Sequence, residues 1–490
     1  MSENLYSNFI GAKAENIEML KEFILQILDH QKEWRKSFYV YDKSLYDEKN
    51  FTNEKIQNEL DKFLIRAEKN LPYFHPRYSA QMLKDPAIPT ILGYLTFMLS
   101  NPNNHAYEGG PVTTEMEMEV TELMLKMTGL KTGWGHLASG GSLANLEALW
   151  ACRDFYKDGT VYFSSVSHYS WKRICKILNI PNYKEINIDK FFRIDLNHLE
   201  DELKKNKALM VMANLGSTGA GSVDDIESIL KLKEKYEFHL HIDAAYGGFV
   251  RSIILDNDYN EINFSNDLFV SEFVYSQLKA LKDADSITID PHKQGLISYG
   301  AGAVLYKNEE LRQVMLNTAP YTYHKLDKPN IGMFSLEGSR PGAMAAACYL
   351  TYQVIPPNKN GLGEIISSSL ASAKKFYELI SQSEKYLNLY SPDLDINCFY
   401  LKNYSDVKTH NEAIIKIYNQ LSVEAAEPEF ILSKFVISPE QTERVLPNLK
   451  NEERENFIAL RTVFMKHWGS LDDFYYVNKL FETLTDVITD

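Results

Sequence analysis

The spacing of apolar residues changes along this chain, and at the start it predicts helix. Near the N-terminus, apolar residues recur every three to four positions with charges between them, at Ile17, Leu20, Phe23, Ile24 and Ile27. This spacing places them on one face of a helix, so residues 1–70 are predicted to be helical. A helical arm of this kind can pack on its own chain or on a partner chain, and the pattern allows both.

Residues 71–118 follow no clear periodicity and are rich in proline, asparagine and aromatic residues. Two stretches are typical, N-L-P-Y-F-H-P-R-Y (70–78) and N-P-N-N-H-A-Y-E-G-G-P (101–111). The composition predicts irregular chain, and long ordered irregular segments are often functional. A helical pattern is predicted to resume near Thr114.

Short apolar runs and helical patterns then alternate. Strands are predicted at 161–164, 208–213, 239–243, 286–290 and 301–306. Helices are predicted between several of them, at 143–156, 168–178 and 223–236. The alternation implies an α/β fold with a mainly parallel sheet covered by helices on both faces. Ligands in such folds bind at the carboxyl ends of strands, where Asp243 and Lys293 lie.

A break in composition near residue 360 predicts a second domain. Pro356 and Pro357 are followed by a Gly-Leu-Gly stretch at 361–363. Beyond it, helix is predicted at 364–386, strands are predicted at 395–401 and 429–436, and helix is predicted again at 451–467. The predicted division is an N-terminal helical arm, a large α/β domain and a smaller C-terminal α+β domain, at 1–75, 76–360 and 361–490.

Composition narrows the class of protein. The chain has 490 residues, 44% of them hydrophobic, which is enough for a large core. A net charge of −14 with no basic block argues against nucleic acid and anionic membranes as partners. The four cysteines have no Cys-x-x-Cys spacing, which favours free thiols in a reducing compartment.

The N-terminal residues and the most apolar run predict neither a secretory signal nor a membrane span. Residues 1–15 contain no apolar stretch typical of a secretory signal. The most apolar run, 87–99, is interrupted by Pro89 and is too short to cross a bilayer. We therefore expect a cytoplasmic enzyme.

A glycine turn before a helix is a candidate phosphate site. In H-L-A-S-G-G-S-L-A-N-L-E-A-L (136–149), Gly140 and Gly141 let backbone N–H groups approach an anion closely. Ser142 can cap the helix and donate to an oxygen, and a helix N-terminus favours negative charge. Gly-Gly-Ser is also common in ordinary turns, so this stretch alone does not decide between the two.

Three residues near predicted strand ends could contact a flat cationic ring. His168 could lie against such a ring, although a structural histidine is the simpler interpretation. Asp243, at a buried strand end, needs a cationic or donor partner, which a pyridinium nitrogen would supply, unless it caps a turn. Ala245 is small enough to let a ring lie flat. His239 and His241 share a strand face, but no third ligand is evident, so no metal is predicted.

Lys293 is the most informative residue. It ends S-I-T-I-D-P-H-K (286–293), where a strand end would hold its amine rigidly. A lysine amine can form an imine with an aldehyde, and Asp243 could meet the nitrogen of the same ring. A lone lysine here would be read as a surface residue; the ordered set of motifs makes that interpretation weak.

Together these motifs resemble the group II pyridoxal-phosphate (PLP) amino-acid decarboxylases. The resemblance rests on S-G-G-S, His168, D-A-A-Y-G-G and P-H-K, in this order and rough spacing. Flanking segments are similar to those of bacterial tyrosine decarboxylases. They are P-R-Y (76–78), N-P-N-N (101–104), P-V-T-T-E-M-E (111–117), A-P-Y (319–321), L-E-G-S-R-P-G-A (336–343) and A-L-R-T-V-F-M (459–465).

The resemblance implies a fold and a set of cofactor contacts. The fold would be that of PLP-dependent transferases of fold type I, similar to aspartate aminotransferase. Lys293 would bind the cofactor covalently and Asp243 would pair with its ring nitrogen. The remaining contacts would be His168 and Ala245 on the two ring faces, Gly141, Ser142 and His292 at the phosphate, and Ser217 or Thr218 nearby.

The resemblance also implies a dimer and a proton donor. In these enzymes a loop tyrosine delivers a proton, usually into the site of the partner subunit. Tyr321 matches that position best, with Tyr323 in reserve. A homodimer with sites at the subunit interface is therefore expected.

The favoured reaction is decarboxylation of an aromatic, tyrosine-like L-amino acid to its amine and CO₂. Tyr78 and His105 are candidate substrate contacts. An acidic substrate is the alternative, with Arg77 and Arg340 as candidate cations. An aldehyde-forming decarboxylase is another, although that branch typically has phenylalanine in place of Tyr321. A catalytically silent, interaction-only relative is disfavoured because the lysine and the aspartate are both present.

Overall fold

The computed structural model describes residues 3–40, 52–317, 328 and 330–487. Its α-helices are α1 (Glu3–Tyr6), α2 (Ile17–Ser37), α3 (Glu54–Ala67), α4 (Ile88–Met98), α5 (Pro111–Thr128), α6 (Gly141–Tyr156), α7 (Ser170–Ile177), α8 (Leu196–Leu203), α9 (Ile226–Tyr236), α10 (Glu272–Ala280), α11 (Leu311–Met315), α12 (Gly342–Val354), α13 (Leu362–Ser381), α14 (Val407–Gln420), α15 (Pro439–Val445) and α16 (Leu471–Asp486). Its strands are β1 (Trp134–Ala138), β2 (Thr160–Ser164), β3 (Tyr183–Ile186), β4 (Ala208–Asn214), β5 (His239–Asp243), β6 (Ser286–Ile289), β7 (Gly302–Tyr306), β8 (Tyr386–Asn388), β9 (Ile396–Leu401), β10 (Ser433–Ile437) and β11 (Phe457–Val463).

The larger sheet confirms the predicted α/β fold. Seven strands lie in the order β1-β7-β6-β5-β4-β2-β3. Strands β2 to β6 pair in parallel, and β7 pairs antiparallel with both β1 and β6. The central strands β4, β5 and β6 are buried along their whole length, because helices cover both faces of a parallel sheet.

All five strands predicted from apolar runs are present, but two others were not predicted. The edge strand β3 reads Y-K-E-I, and its polar residues give no apolar run. The other, β1, contains Gly135, whose backbone lies close to the neighbouring strand: a Cβ there would be 2.4 Å from the Val304 carbonyl oxygen. Its pairing with β7, far along the chain, makes it a strand.

The prediction of irregular chain over 71–118 is wrong for residues 88–98, which form α4. Pro89 does not interrupt this helix, because it lies in the first turn, where its missing N–H has no partner to lose. The helix packs on α12, and the hydroxyls of Thr90 and Thr351 lie 2.7 Å apart between the two helices. Helix α5 begins at Pro111, slightly before the predicted start.

The smaller sheet is antiparallel, in the order β10-β11-β9-β8, with its own apolar cluster against α13, α14 and α16. The helix predicted over 451–467 is wrong, because residues 457–463 form β11, between β9 and β10. The run F-I-A-L-R-T-V is almost wholly buried, and short apolar runs do not distinguish strand from helix. The domain boundaries at 75 and 360 stay predictions.

The N-terminal helices α2 and α3 are present as predicted. Helix α3 has no buried residue within the described chain. Its apolar side chains Ile56, Leu60, Phe63 and Leu64 are exposed. A helix with one apolar face normally packs that face against something, so α3 presents an uncovered face. None of the described helices combines the length and the apolar character needed to cross a bilayer.

Candidate active site

The carboxyl ends of β4, β5 and β6 surround a cavity of about 430 Å³. Seven residues predicted to act at one site line it together, namely Gly141, Ser142, His168, Asp243, Ala245, His292 and Lys293. They come from four separate stretches of the chain. The parallel sheet brings these stretches to one edge, as expected for a ligand site in an α/β fold.

The glycine turn between β1 and α6 forms one end of the cavity. Gly140, Gly141 and Ser142 line it, and α6 has no side-chain N-cap among the described residues. Its first N–H groups are therefore available to an anion. Glu337 binds the preceding residue, accepting the backbone N–H of Ser139 at 3.0 Å and contacting its hydroxyl.

The turn is held closely against β7. A Cβ on Gly302 would lie 2.6 Å from the Cα and the carbonyl carbon of Gly140. No real Cβ approaches backbone so closely, so the G302A substitution must displace the turn. We expect it to weaken PLP binding by roughly tenfold or more, equivalent to about 1.4 kcal/mol. Fluorescence titration of the apoenzyme with PLP measures this.

Gly338 provides the matched control, because a Cβ there would meet nothing within 4 Å. We expect G338A to bind PLP as the unmodified chain does. Equal PLP affinity in G302A and G338A would contradict the tight packing of the turn.

Asp243 accepts hydrogen bonds from three directions. Asn145 Nδ2 donates to Oδ2 at 2.8 Å and Trp171 Nε1 to the same oxygen at 3.2 Å. The backbone N–H of Ala245 donates to Oδ1 at 3.2 Å. All three partners are donors, so the buried side chain is stabilised as a carboxylate and suits a cationic ring nitrogen. Neither Asn145 nor Trp171 was predicted, since nothing in their local sequence points to Asp243.

The Asp290 carboxylate is the ion-pair partner of Lys293 and also lies near His292. Lys293 Nζ is 3.1 Å from Asp290 Oδ2, and the same oxygen is 3.4 Å from His292 Nε2. Asp290 also lines the cavity, and its Oδ1 is buried with no hydrogen-bond partner within the described chain. No role was predicted for Asp290, although it stands in the D-P-H-K motif itself.

The two histidines of the site are held in defined orientations. His292 Nδ1 accepts the Ala301 N–H at 3.2 Å, and its ring stacks on Tyr299 at 4.3 Å between centroids. His168 Nδ1 lies 2.7 Å from the Ser170 hydroxyl. Burial lowers the pKa of both rings below the usual histidine value, so both are neutral at neutral pH.

Tyr246 lines the cavity, and the buried Asp395 carboxylate holds its hydroxyl. Asp395 Oδ1 accepts the Tyr246 hydroxyl at 2.5 Å, and Asp395 Oδ2 accepts Gln294 Nε2 at 2.7 Å. Burial raises the pKa of the Asp395 carboxyl. Because Gln294 follows Lys293, this network ties the lysine's segment to the small domain.

The structure does not place every candidate residue in the cavity. Thr218 lines it, whereas the Ser217 hydroxyl lies 2.7 Å from Ser222 Oγ, within a turn. Tyr78 is buried beside Tyr73 and Lys466, and burial raises its pKa to about 12. His105 is not among the lining residues either. Tyr321 and Tyr323 lie outside the described residues.

The two arginines considered as substrate contacts are bound elsewhere. Arg77 pairs with Glu429 at 3.7 Å and lies over the Phe430 ring. Arg340 is buried and contacts the Glu117 carboxylate and the Leu137 carbonyl. No cluster of metal-ligating side chains occurs in the described ranges.

The residues fit PLP by their chemistry. Three groups line a single cavity: the Lys293 amine, the Asp243 carboxylate and the glycine turn. The amine suits the aldehyde of PLP, the carboxylate suits its ring nitrogen, and the turn suits its phosphate. Together with the mainly parallel sheet, this arrangement defines a PLP-dependent enzyme of fold type I.

Comparisons with known proteins identify the family. A model of the pyridoxal-dependent decarboxylase conserved domain matches residues 43–258 and 261–402. The chain belongs to this family of PLP-dependent amino-acid decarboxylases, as the motifs predicted.

Individual relatives agree with this assignment. The L-tyrosine decarboxylase of Enterococcus faecium is 29% identical, covering 84% of this chain and 85% of its own. A probable L-aspartate decarboxylase of Archaeoglobus fulgidus is 26% identical, covering 79% and 96%. The crystal structure of Oryza sativa TDC with PLP and tryptamine matches the fold with a TM-score of 0.71 at 16% identity, covering 96% and 98% of the two chains.

Proposed function

We propose that this enzyme decarboxylates an L-amino acid with an aromatic, tyrosine-like side chain to its amine and CO₂. The supporting observation is the charge of the cavity wall. Lys293 is the only lysine or arginine that lines the cavity within the described chain, and its Nζ pairs with Asp290. The second carboxylate of aspartate or glutamate would find no free cation there, and an unpaired buried charge is costly. The Enterococcus relative also supports an aromatic substrate.

We assign the cofactor contacts residue by residue. Lys293 Nζ would hold the aldehyde, Asp243 the ring nitrogen, and the N–H groups of Gly141 and Ser142 the phosphate, with His292 beside them. When bound, PLP withdraws electrons from the carbon that loses CO₂. The Asp243 side chain would favour a proton on the ring nitrogen, because its oxygens meet only donors from the protein and the ring N–H would be a further donor.

The neutral state of His168 suits a position against a flat ring. A protonated imidazole there would repel a protonated pyridine, whereas the buried, neutral ring does not. The Ser170 hydroxyl fixes the ring orientation at Nδ1, which leaves Nε2 for the cavity. Ala245 also lines the cavity, and its small side chain leaves room for the ring.

The substrate assignment is tested with a panel of L-amino acids. CO₂ release and product mass are measured with PLP-loaded protein and tyrosine, DOPA, phenylalanine, tryptophan, glutamate or aspartate. We expect amine from at least one aromatic member and none from the acidic members. Amine from aspartate or glutamate alone would refute the aromatic assignment and favour the activity named for the Archaeoglobus relative.

We propose that the Tyr321 hydroxyl delivers the proton that replaces the lost carboxylate. In Y321F, we expect CO₂ release to continue with less amine formed per CO₂, because the proton donor is gone and the hydroxyl-dependent step fails. Quantifying both products in one reaction measures the ratio. A ratio equal to that of the unmodified enzyme would move the role to Tyr323 or another acid.

We also propose a homodimer in the cytoplasm. The uncovered apolar face of α3 supports a second copy as its cover, since an amphipathic face is normally buried. Sedimentation of the PLP-loaded enzyme is expected to give twice the chain mass; a monomer would refute the dimer. The four cysteines are free and buried, which suits a reducing compartment.

A further inference from the structure

A chain of buried hydrogen bonds runs from Asp243 to the opposite edge of the sheet. Asn145 Nδ2 donates to Asp243 Oδ2 at 2.8 Å, and Asn145 Oδ1 lies 2.9 Å from His241 Nε2. His241 Nδ1 lies 2.8 Å from Ser286 Oγ, which in turn lies 2.7 Å from His239 Nε2. His239 and Asp243 are the two ends of β5, and four residue steps along a strand span about 13 Å.

The carboxylate at one end sets the direction of every bond. A carboxylate only accepts, so Asn145 turns its NH₂ to Asp243 and its oxygen to His241. His241 must then donate from Nε2. Burial lowers the pKa of His241 to about 3, so the ring is neutral and its Nδ1 accepts from Ser286.

The same logic assigns the last member of the chain. The Ser286 hydroxyl donates its one hydrogen to His241 Nδ1, so its oxygen accepts from His239 Nε2. Burial lowers the pKa of His239 to about 4, which makes this ring neutral as well. Its Nδ1 is therefore a bare acceptor. This atom is buried and has no hydrogen-bond partner among the described residues.

His239 lines a crevice of about 740 Å³ at the edge of the sheet opposite the active site. Leu209, Leu230, Phe238 and the exposed Tyr156 give the crevice an apolar and aromatic surface. The Tyr156 ring lies 5.8 Å from the His239 ring between centroids. A ligand that fits both features would donate a hydrogen bond to His239 Nδ1 and pack an apolar group against this surface.

The rim of the crevice is acidic. Lys233 and Asp285 neutralise each other at 2.6 Å. Lys207 is the other cation of the lining. Four further carboxylates line it with no side-chain ion pair or hydrogen bond in the described parts of the chain: Asp158, Glu234, Glu237 and Asp283. The excess of negative charge favours a cationic ligand.

We propose that this crevice is a second binding site, for a protonated organic amine with an apolar or aromatic body, whose N–H donates to His239 Nδ1. The ligand class follows from the crevice and holds whichever amino acid is the substrate. The amine products of decarboxylating apolar amino acids belong to this class, so free product is a ligand of the right chemistry. His239 Nδ1 stays unprotonated because the Asp243 carboxylate fixes which atom donates in each hydrogen bond of the chain.

The test uses two probes that differ in one group. 4-Hydroxy-N,N-dimethylphenethylamine carries one N–H when protonated, and as a tertiary amine it does not condense with an aldehyde. Its N,N,N-trimethyl analogue keeps the charge and the ring but has no N–H. Calorimetry on PLP-loaded enzyme should show the dimethyl probe binding about ten- to a hundredfold more tightly, the range for a hydrogen bond from a charged donor. Equal affinity for the two probes overturns the proposal.

Two variants locate the binding. H239F removes the acceptor, and we expect the dimethyl probe to bind it as weakly as the trimethyl probe. The double variant E234Q/E237Q changes only exposed side chains of the rim. We expect it to lose several-fold in affinity at low ionic strength and less at high salt. Binding that is unchanged in the rim variant belongs to another site, the active site included, and overturns the proposal even where H239F fails to fold.

Discussion

Replacing Lys293 with alanine is expected to abolish covalent retention of PLP and nearly all turnover. Lys293 Nζ is the only lysine amine lining the cavity in the described residues. Loss of a nucleophile that acts in covalent catalysis lowers turnover by roughly 10⁴- to 10⁶-fold. Borohydride reduction of PLP-loaded enzyme followed by peptide mass spectrometry should find the cofactor on Lys293 and on no peptide of K293A.

One variant separates the reactivity of the Lys293 amine from its charge, and a second variant is the matched lysine control. K293R keeps a cation beside Asp290 but has no amine that reacts with an aldehyde, so we expect it to be equally inactive. It should nevertheless keep more of the apoenzyme's thermal stability than K293A, in which the buried Asp290 loses its partner at 3.1 Å. The exposed Lys176 serves as the matched lysine, and K176A should behave as the unmodified enzyme. Substantial turnover in K293A would remove Lys293 from its role.

Replacing Asp243 with asparagine is expected to have the second largest effect. The asparagine keeps the size of the side chain but not the charge that pairs with a protonated ring nitrogen. We expect kcat/KM to fall by roughly 10³-fold, the scale for removing one preorganised electrostatic group. Steady-state kinetics at saturating PLP measure this loss.

The same substitution should also destabilise the apoenzyme. Asn145, Trp171 and the Ala245 N–H all donate to the carboxylate, so an amide NH₂ would face a donor. A buried donor left without an acceptor costs about 1–3 kcal/mol. Denaturant unfolding of apo D243N tests this, with the exposed D267N as control. If D243N keeps normal kcat/KM, Asp243 does not pair with the ring.

The class of the protein could be predicted from short motifs because each motif carries its own chemistry. Lys293, Asp243 and the turn at Gly141 stand at ends of predicted strands, and ends of parallel strands meet at one edge of a sheet. Burial makes the central strands continuous apolar runs, so all five predicted strands are present. These inferences depend on local patterns and on one general rule of topology.

The partners of these residues depend on contacts between distant parts of the chain. Asn145 and Trp171 are 98 and 72 positions away from Asp243, and no local pattern links them. Ser217 and Thr218 could not be told apart from the sequence, because the difference is a contact inside the fold: the Ser217 hydroxyl bonds to Ser222, and Thr218 lines the cavity.

The mainly parallel fold, the cofactor and seven of the residues that line the cavity could be predicted from the sequence, because hydrophobic periodicity and functional side chains are local properties. Tertiary structure decided that 457–463 is a strand and that α4 is a helix. It also decided that the acceptor at His239 is unpaired. These outcomes depend on which surfaces and which polar atoms meet in the folded chain, and only the folded chain brings them together.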